Sequence, residues 1–99
     1  LPDPETADEA LLQATGRGDL TAFAELVNRH QAWAWRIAWR FLGEAQNAED
    51  LVQEAFLRLH RAAARYERRA AFRMYFYRII TRLCLDRARK ISFGWFDTG

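Results

Sequence analysis

AEDLVQEAFLRLHRAAARY, residues 48–66, sets Val52, Ala55, Phe56, Leu59, Ala63 and Tyr66 on one stripe at helical spacing. Asp50, Gln53, Glu54, Leu57 and Arg61 fall on the other side. This is a helix with one face for a core and one for solvent. Asn47, with Asp50 three residues on, reads as its cap, so the helix is predicted over residues 48–65. Leu57 is the odd member, an apolar side chain ringed by charges on the wet face. One exposed leucine is ordinary, yet at this spacing among acids it also fits a docking site for a basic helical partner.

Immediately downstream, ERRAAFRMYFYRIITR, residues 67–82, packs five arginines and four aromatics into sixteen positions. A short loop around residues 67–70 leads into a helix predicted to run to about Lys90. Phe72, Phe76, Ile79 and Leu83 form its inward stripe, with Ile80 beside them. Arg78, Arg82 and Arg89 share another face, flanked by Tyr75 on one edge and by Met74 and Leu85 on the other. Arg73 and Arg87 lie on the opposite flank. A ladder of guanidiniums can track phosphates, and neighbouring rings can stack on unpaired bases. Asn and Gln at base-reading spacing are missing, so single-stranded DNA suits the pattern better than a groove code. A solvated arginine face is the competing reading.

Upstream, Thr6 is the expected cap of a first helix that Gly16 and Gly18 end. Asp19 is the expected cap of a second, which Gly43 stops. In that helix Phe23, Val27, His30, Ala34, Ile37 and Phe41 form one apolar stripe, and Trp35, Trp39 and Leu42 a second. A helix apolar on two sides belongs at the centre of a bundle, so His30 is expected in the core and the tryptophans mostly so, with room for one at the rim to meet a partner. With no strand pattern, the predicted fold class is all-α, a compact bundle of about four helices.

Composition agrees with one small globular domain: 99 residues, 51% hydrophobic, net charge +2. Arginines interrupt every apolar run well short of the ~18 residues that a membrane span needs, and the acidic N-terminus is the reverse of a signal peptide. The single cysteine, Cys84, excludes a disulfide framework and a Cys-rich metal site, and suits a reducing, cytoplasmic setting. It is expected as a small packed residue. Charge is segregated. Residues 1–25 carry six acids against one base, whereas residues 55–90 carry eleven bases against two acids. Such asymmetry points to a polyanionic partner for the second half.

Catalysis finds no support. His30 and His60 are isolated, and neither an HExxH pair, a Gly-rich phosphate loop nor a nucleophile elbow occurs. Asp50 and Glu54 are one turn apart, but no further ligand converges on them in the sequence. No catalytic, cofactor or metal-binding residue is assigned.

Residues 47–90 resemble region 2 of bacterial sigma factors, most closely the small extracytoplasmic-function type. AEDLVQEAFLRL at 48–59, FYRI at 76–79, and Asp86 with Arg87 carry the resemblance. Residues 8–43 are similar to the helices that open the same domain. The resemblance implies that Asp50, Gln53, Glu54 and Leu57 dock on the clamp helices of the RNA polymerase β′ subunit. It implies further that the following loop and helix recognise and help melt the promoter −10 element by holding its non-template strand. The matching positions are Tyr66, Arg68, Arg69, Arg73, Met74, Tyr75, Arg78 and Arg82. Many relatives are held inactive by an anti-sigma factor, a candidate second protein partner.

This chain departs from the family's habit at Tyr75, often Trp, and at Arg82, often Asn. Its loop ERRAA also replaces a commoner version with Gly and Ser. Residues 1–90 are expected to form the domain and residues 91–99 to begin a linker. The helix-turn-helix domain, region 4, has no counterpart in the residues after Lys90. The rival reading is a sigma-like module that binds proteins only, as an anti-sigma target or a polymerase-tethered adaptor.

Overall fold

The computed structural model describes the backbone of residues 3–97 and the side chains of residues 3–90. Four α-helices follow one another: α1 Asp8–Gly16, α2 Leu20–Leu42, α3 Ala45–Ala62 and α4 Phe72–Asp97. A 3-10 turn, Ala63–Arg65, continues α3 towards the loop. No strand occurs among the described residues.

The helix ends show which local signals won. Asp19 caps α2 as expected, its carboxylate accepting from the Ala22 N–H at 3.1 Å. Gly43 ends that helix with φ 66°, and its N–H reaches the Trp39 carbonyl at 2.7 Å. The other two expected caps are corrected. Ala7, not Thr6, precedes α1, with no side-chain bond to the first turn. Arg29 draws the Thr6 carbonyl towards α2 instead. α3 starts three residues earlier than expected, because Glu44 accepts from the N–H groups of both Gln46 and Asn47. Asn47 therefore lies within the helix. α4 also passes the expected end at Lys90 and continues to Asp97.

All four helices contribute to one core. Leu12, Leu26, Leu51, Leu59, Phe72, Phe76, Ile80 and Cys84 are its largest fully buried side chains. Phe76 sits at the centre, 4.7 Å from the Phe56 ring and 5.8 Å from those of Trp33 and Phe72. Burying one such phenyl group contributes about 2–3 kcal/mol. The α3 stripe from Val52 to Tyr66 is buried as expected, joined by Ala48 and Leu51.

The faces of α2 need correcting. Its buried row runs through Ala22, Leu26, His30, Trp33, Ala34 and Ala38, while Phe41 is exposed. Trp35 and Trp39, expected in the core, are 37% and 41% exposed and stack on each other, rings 5.6 Å apart. They project from the far side of the helix from Leu26 and Trp33, so the bundle leaves these two rings uncovered, whereas Leu42 of the same stripe packs partly against the core.

His30 is a packed core histidine. Its Nδ1 accepts from the indole N–H of Trp33 at 2.7 Å, and its ring leans on Phe72 at 4.6 Å. Nε2 stands 2.9 Å from the Asp8 carboxylate but out of line for a hydrogen bond. Close by, Arg29 uses every guanidinium N–H. Nε donates to Glu25, Nη1 to the Thr6 carbonyl and Asp8, and Nη2 to the carbonyls of Asp3 and Pro4. The segment ahead of α1 is thereby clamped to α2.

Candidate nucleic-acid interface

Two chemically opposite surfaces meet along α3 and α4. The first is the outer face of α3, where Asp50, Gln53 and Leu57 project into solvent one turn apart. Leu57 is 55% exposed, so nothing in the bundle covers it. The two carboxylates of this face are held separately. Asp50 accepts from the Gln46 side chain at 2.9 Å, whereas Glu54 lies 3.5 Å from Arg58 and 3.6 Å from Arg87. Arg87 also donates to the Asn47 carbonyl at 3.3 Å. Glu54 is thus the residue of this face already engaged with cations of the same chain.

The second surface comprises the loop after the 3-10 turn and the adjacent face of α4. Arg68 and Arg69 stand out in solvent on the loop, with Arg69 Nε donating to Glu67 at 3.0 Å. Tyr66 is turned inward and buried, and its hydroxyl donates to the Ala70 carbonyl, closing the loop on itself. Burial pushes that hydroxyl's pKa up, with the charge of Glu9 acting in the same sense and Arg68 opposing. Tyr75 is half-buried and meets the Tyr66 ring edge to face at 5.1 Å. Met74, 59% exposed, lies one position from it. Arg78 and Arg82 project into solvent and make no ion pair among the described residues.

Arg73 is placed differently. Its guanidinium carbon lies 4.5 Å from the centre of the Trp33 ring, a cation–π contact worth about 0.5–2 kcal/mol. Trp33 is therefore a shelf that orients Arg73 from below. Of the eight loop and α4 positions singled out in the sequence, seven carry their polar or apolar groups at or near the surface. Tyr66 shapes the loop from inside it.

The model of the sigma-70 region 2 family matches residues 26–93, which include every residue of both surfaces. The chain belongs to that family. Among curated relatives of this region 2 domain, the extracytoplasmic-function sigma factor SigW of Bacillus subtilis is 36% identical over 74 residues, 75% of this chain and 40% of SigW. SigE of Mycolicibacterium smegmatis is 36% identical over 90 residues, 90% of this chain and 35% of SigE. The chain therefore spans well under half the length of these relatives. In three dimensions it is similar to an engineered region 2 of sigmaE solved by NMR in complex with GTAAAA. The TM-score is 0.80 at 26% identity, covering 90% of this chain and 93% of the other.

Three residues that organise the region 2 surface had no signal in the sequence. Glu9 reaches across from α1 to the first N–H of α4, Trp33 underlies Arg73, and Gly16 lets α1 approach the 3-10 turn. None lies within a local motif, because each acts on a residue at least forty positions away.

Proposed function

We propose that this domain is a promoter-recognition module that works by binding, without catalysing a reaction. The acidic face of α3, with Asp50, Gln53, Glu54 and Leu57, docks on the β′ clamp helices of core RNA polymerase. The loop and α4 hold the non-template strand of the −10 element. Arg68, Arg69, Arg73, Arg78 and Arg82 neutralise phosphates, while Met74 and Tyr75 offer an apolar, stackable surface to bases. Captured bases offset the cost of unstacking, a few kcal/mol per base. Residues 91–99 lead on towards the rest of a longer factor.

The observation that carries this reading is the likeness to a region 2 in complex with GTAAAA, joined to the basic, solvent-facing surface of the loop and α4 of this chain. The experiment is binding of this 99-residue chain to a panel of labelled single strands, one containing GTAAAA, together with core polymerase pull-downs. One or more strands bind, and Arg78→Ala with Arg82→Ala flattens the salt dependence. Glu54→Lys or Leu57→Asp abolishes polymerase capture with helical circular dichroism unchanged. Equal salt dependence of wild type and the arginine double variant would sink the DNA half. Polymerase capture retained by both α3 variants would sink the docking half.

A further inference from the structure

Between α3 and α4 lies an open groove of about 810 Å³. Arg58 and Arg61 of α3 and Arg65 of the 3-10 turn line it on one side, and Arg78, Arg82 and Arg89 of α4 on the other. Tyr75, Ile79 and Leu85 give it apolar surface, and Asp86 is its one acid. Arg58 and Arg61, spaced i and i+3, lie on one side of α3, and Arg65 lines the same groove from the 3-10 turn, opposite the arginines of α4. Of the six, only Arg58 has an ion-pair partner among the described residues, Glu54 at 3.5 Å.

We propose that this groove holds the sugar–phosphate chain of a single-stranded nucleic acid, with Arg61 of α3 and Arg65 of the 3-10 turn forming a second phosphate-binding wall opposite Arg78 and Arg82. The inference rests on the reading above and extends it, since neither Arg61 nor Arg65 is given a role there. Unpaired guanidiniums facing one another across a groove repel, and an anion between the walls turns that repulsion into attraction. The fork geometry of arginine suits phosphate oxygens. The shape selects the form of the guest. Duplex DNA is read by convex elements entering its grooves, whereas a trough with arginine walls and an apolar lining accepts one chain, its bases resting against Tyr75 or Leu85. The groove also adjoins the proposed −10 surface without a break, because Tyr75, Arg78 and Arg82 belong to both.

The test uses this chain, a labelled thymidine 12-mer, the matching duplex and a salt titration by fluorescence anisotropy. Arg61→Ala with Arg65→Ala reduces the slope of log affinity against log salt by about 1.4, two single-strand phosphate contacts at ~0.7 each. Affinity at low salt falls by about tenfold. Arg61→Lys with Arg65→Lys restores the slope, because a phosphate contact needs the charge, and Arg36→Ala, on the exposed side of α2, leaves it unchanged. Arg36, Arg61, Arg65, Arg78 and Arg82 are all solvent-exposed, and unchanged thermal melts verify the fold. A wild-type slope in the alanine double variant, with Arg78→Ala and Arg82→Ala still lowering it, overturns the groove and leaves the proposed function standing. Duplex bound as tightly as the single strand overturns the choice of guest. A wild-type chain that binds no single strand overturns both proposals.

Discussion

The carboxylate of Glu9, in the first turn of α1, accepts a hydrogen bond from the backbone N–H of Phe72 at 2.7 Å. Phe72 opens α4, so a side chain from sixty-three positions upstream caps the helix that carries the proposed DNA surface. The loop between Tyr66 and Phe72 is thus fixed at both ends, by Tyr66 on Ala70 and by Glu9 on Phe72.

Replacing Glu9 by Ala removes that cap and leaves the Phe72 N–H without its partner. The expected loss is about 1 kcal/mol, in the range of other helix caps. Urea denaturation measures it. Amide exchange localises it, with faster exchange at residues 72–75 and little change in α2. Uniform exchange across all helices would show that Glu9 does not act on α4 in particular.

Gly16 ends α1 against the 3-10 turn. A Cβ built there falls 2.5 Å from the Ala63 carbonyl oxygen and 2.8 Å from its carbon, both backbone atoms. Neither can swing aside as a flexible side chain would, so Gly16→Ala forces α1 away from the turn. A cost of about 1–3 kcal/mol follows, as for overpacked cores. A melting temperature equal to wild type would contradict the close approach. Gly18→Ala probes a different constraint, because φ at Gly18 is +98° with open space around it.

Arg29 meets five oxygen acceptors, three of them carbonyls of the segment before α1. The hydrogen bond to Glu25, and then the hydrogen bond to Asp8 with its charge, raise its already high pKa against the cost of burial. Lysine keeps the charge but has three donors on a single point, so Arg29→Lys loses about 1–2 kcal/mol. Limited proteolysis then cuts ahead of α1 sooner than in wild type. Unchanged protection of that segment would refute the clamp.

Two buried groups make the domain sensitive to alkali. Burial raises the Cys84 thiol above its ordinary 9.0, with Arg87 opposing, and raises the Tyr66 hydroxyl above 10.0. Each therefore favours the folded state while neutral. Their contribution is full below about pH 9 and is lost as pH rises from each unfolded value through the folded one. Denaturant midpoints measured from pH 7 to 11 should fall over that upper range, and Tyr66→Phe should flatten the part above pH 10. Parallel curves for wild type and Tyr66→Phe would contradict this linkage. At neutral pH, a thiol reagent should modify Cys84 only as fast as the chain unfolds.

Much of the molecule was legible in its one-dimensional pattern. The α3 stripe, the α4 core residues Phe72, Phe76, Ile80 and Leu83, the Asp19 cap and the Gly43 stop all follow from local periodicity and local backbone chemistry. So did the exposure of Leu57, since a residue ringed by charges at helical spacing has to share their face. Trp35 and Trp39 misled because hydrophobicity says what a side chain prefers, whereas burial also needs a neighbour. α2 has packed helices on one side only, so Trp35 and Trp39 of its second apolar stripe stay wet. Arg61 and Arg65 were overlooked as a pair for a related reason: each looks like an ordinary solvated arginine until α4 is laid beside α3.

By itself, then, the order of residues determined the helical class, the approximate helices, the inward stripes of α3 and α4 and the segregation of acid from base. These depend on contacts within a few turns of one chain segment, where spacing and geometry are equivalent. Only the tertiary structure decided that Glu9 caps α4, that Trp33 supports Arg73, that Arg29 gathers the N-terminal segment, and that arginines of two helices face each other across one groove. Each of those joins groups more than ten and up to sixty-three positions apart, and their distance is set by how the helices pack around Phe76 rather than by any local pattern.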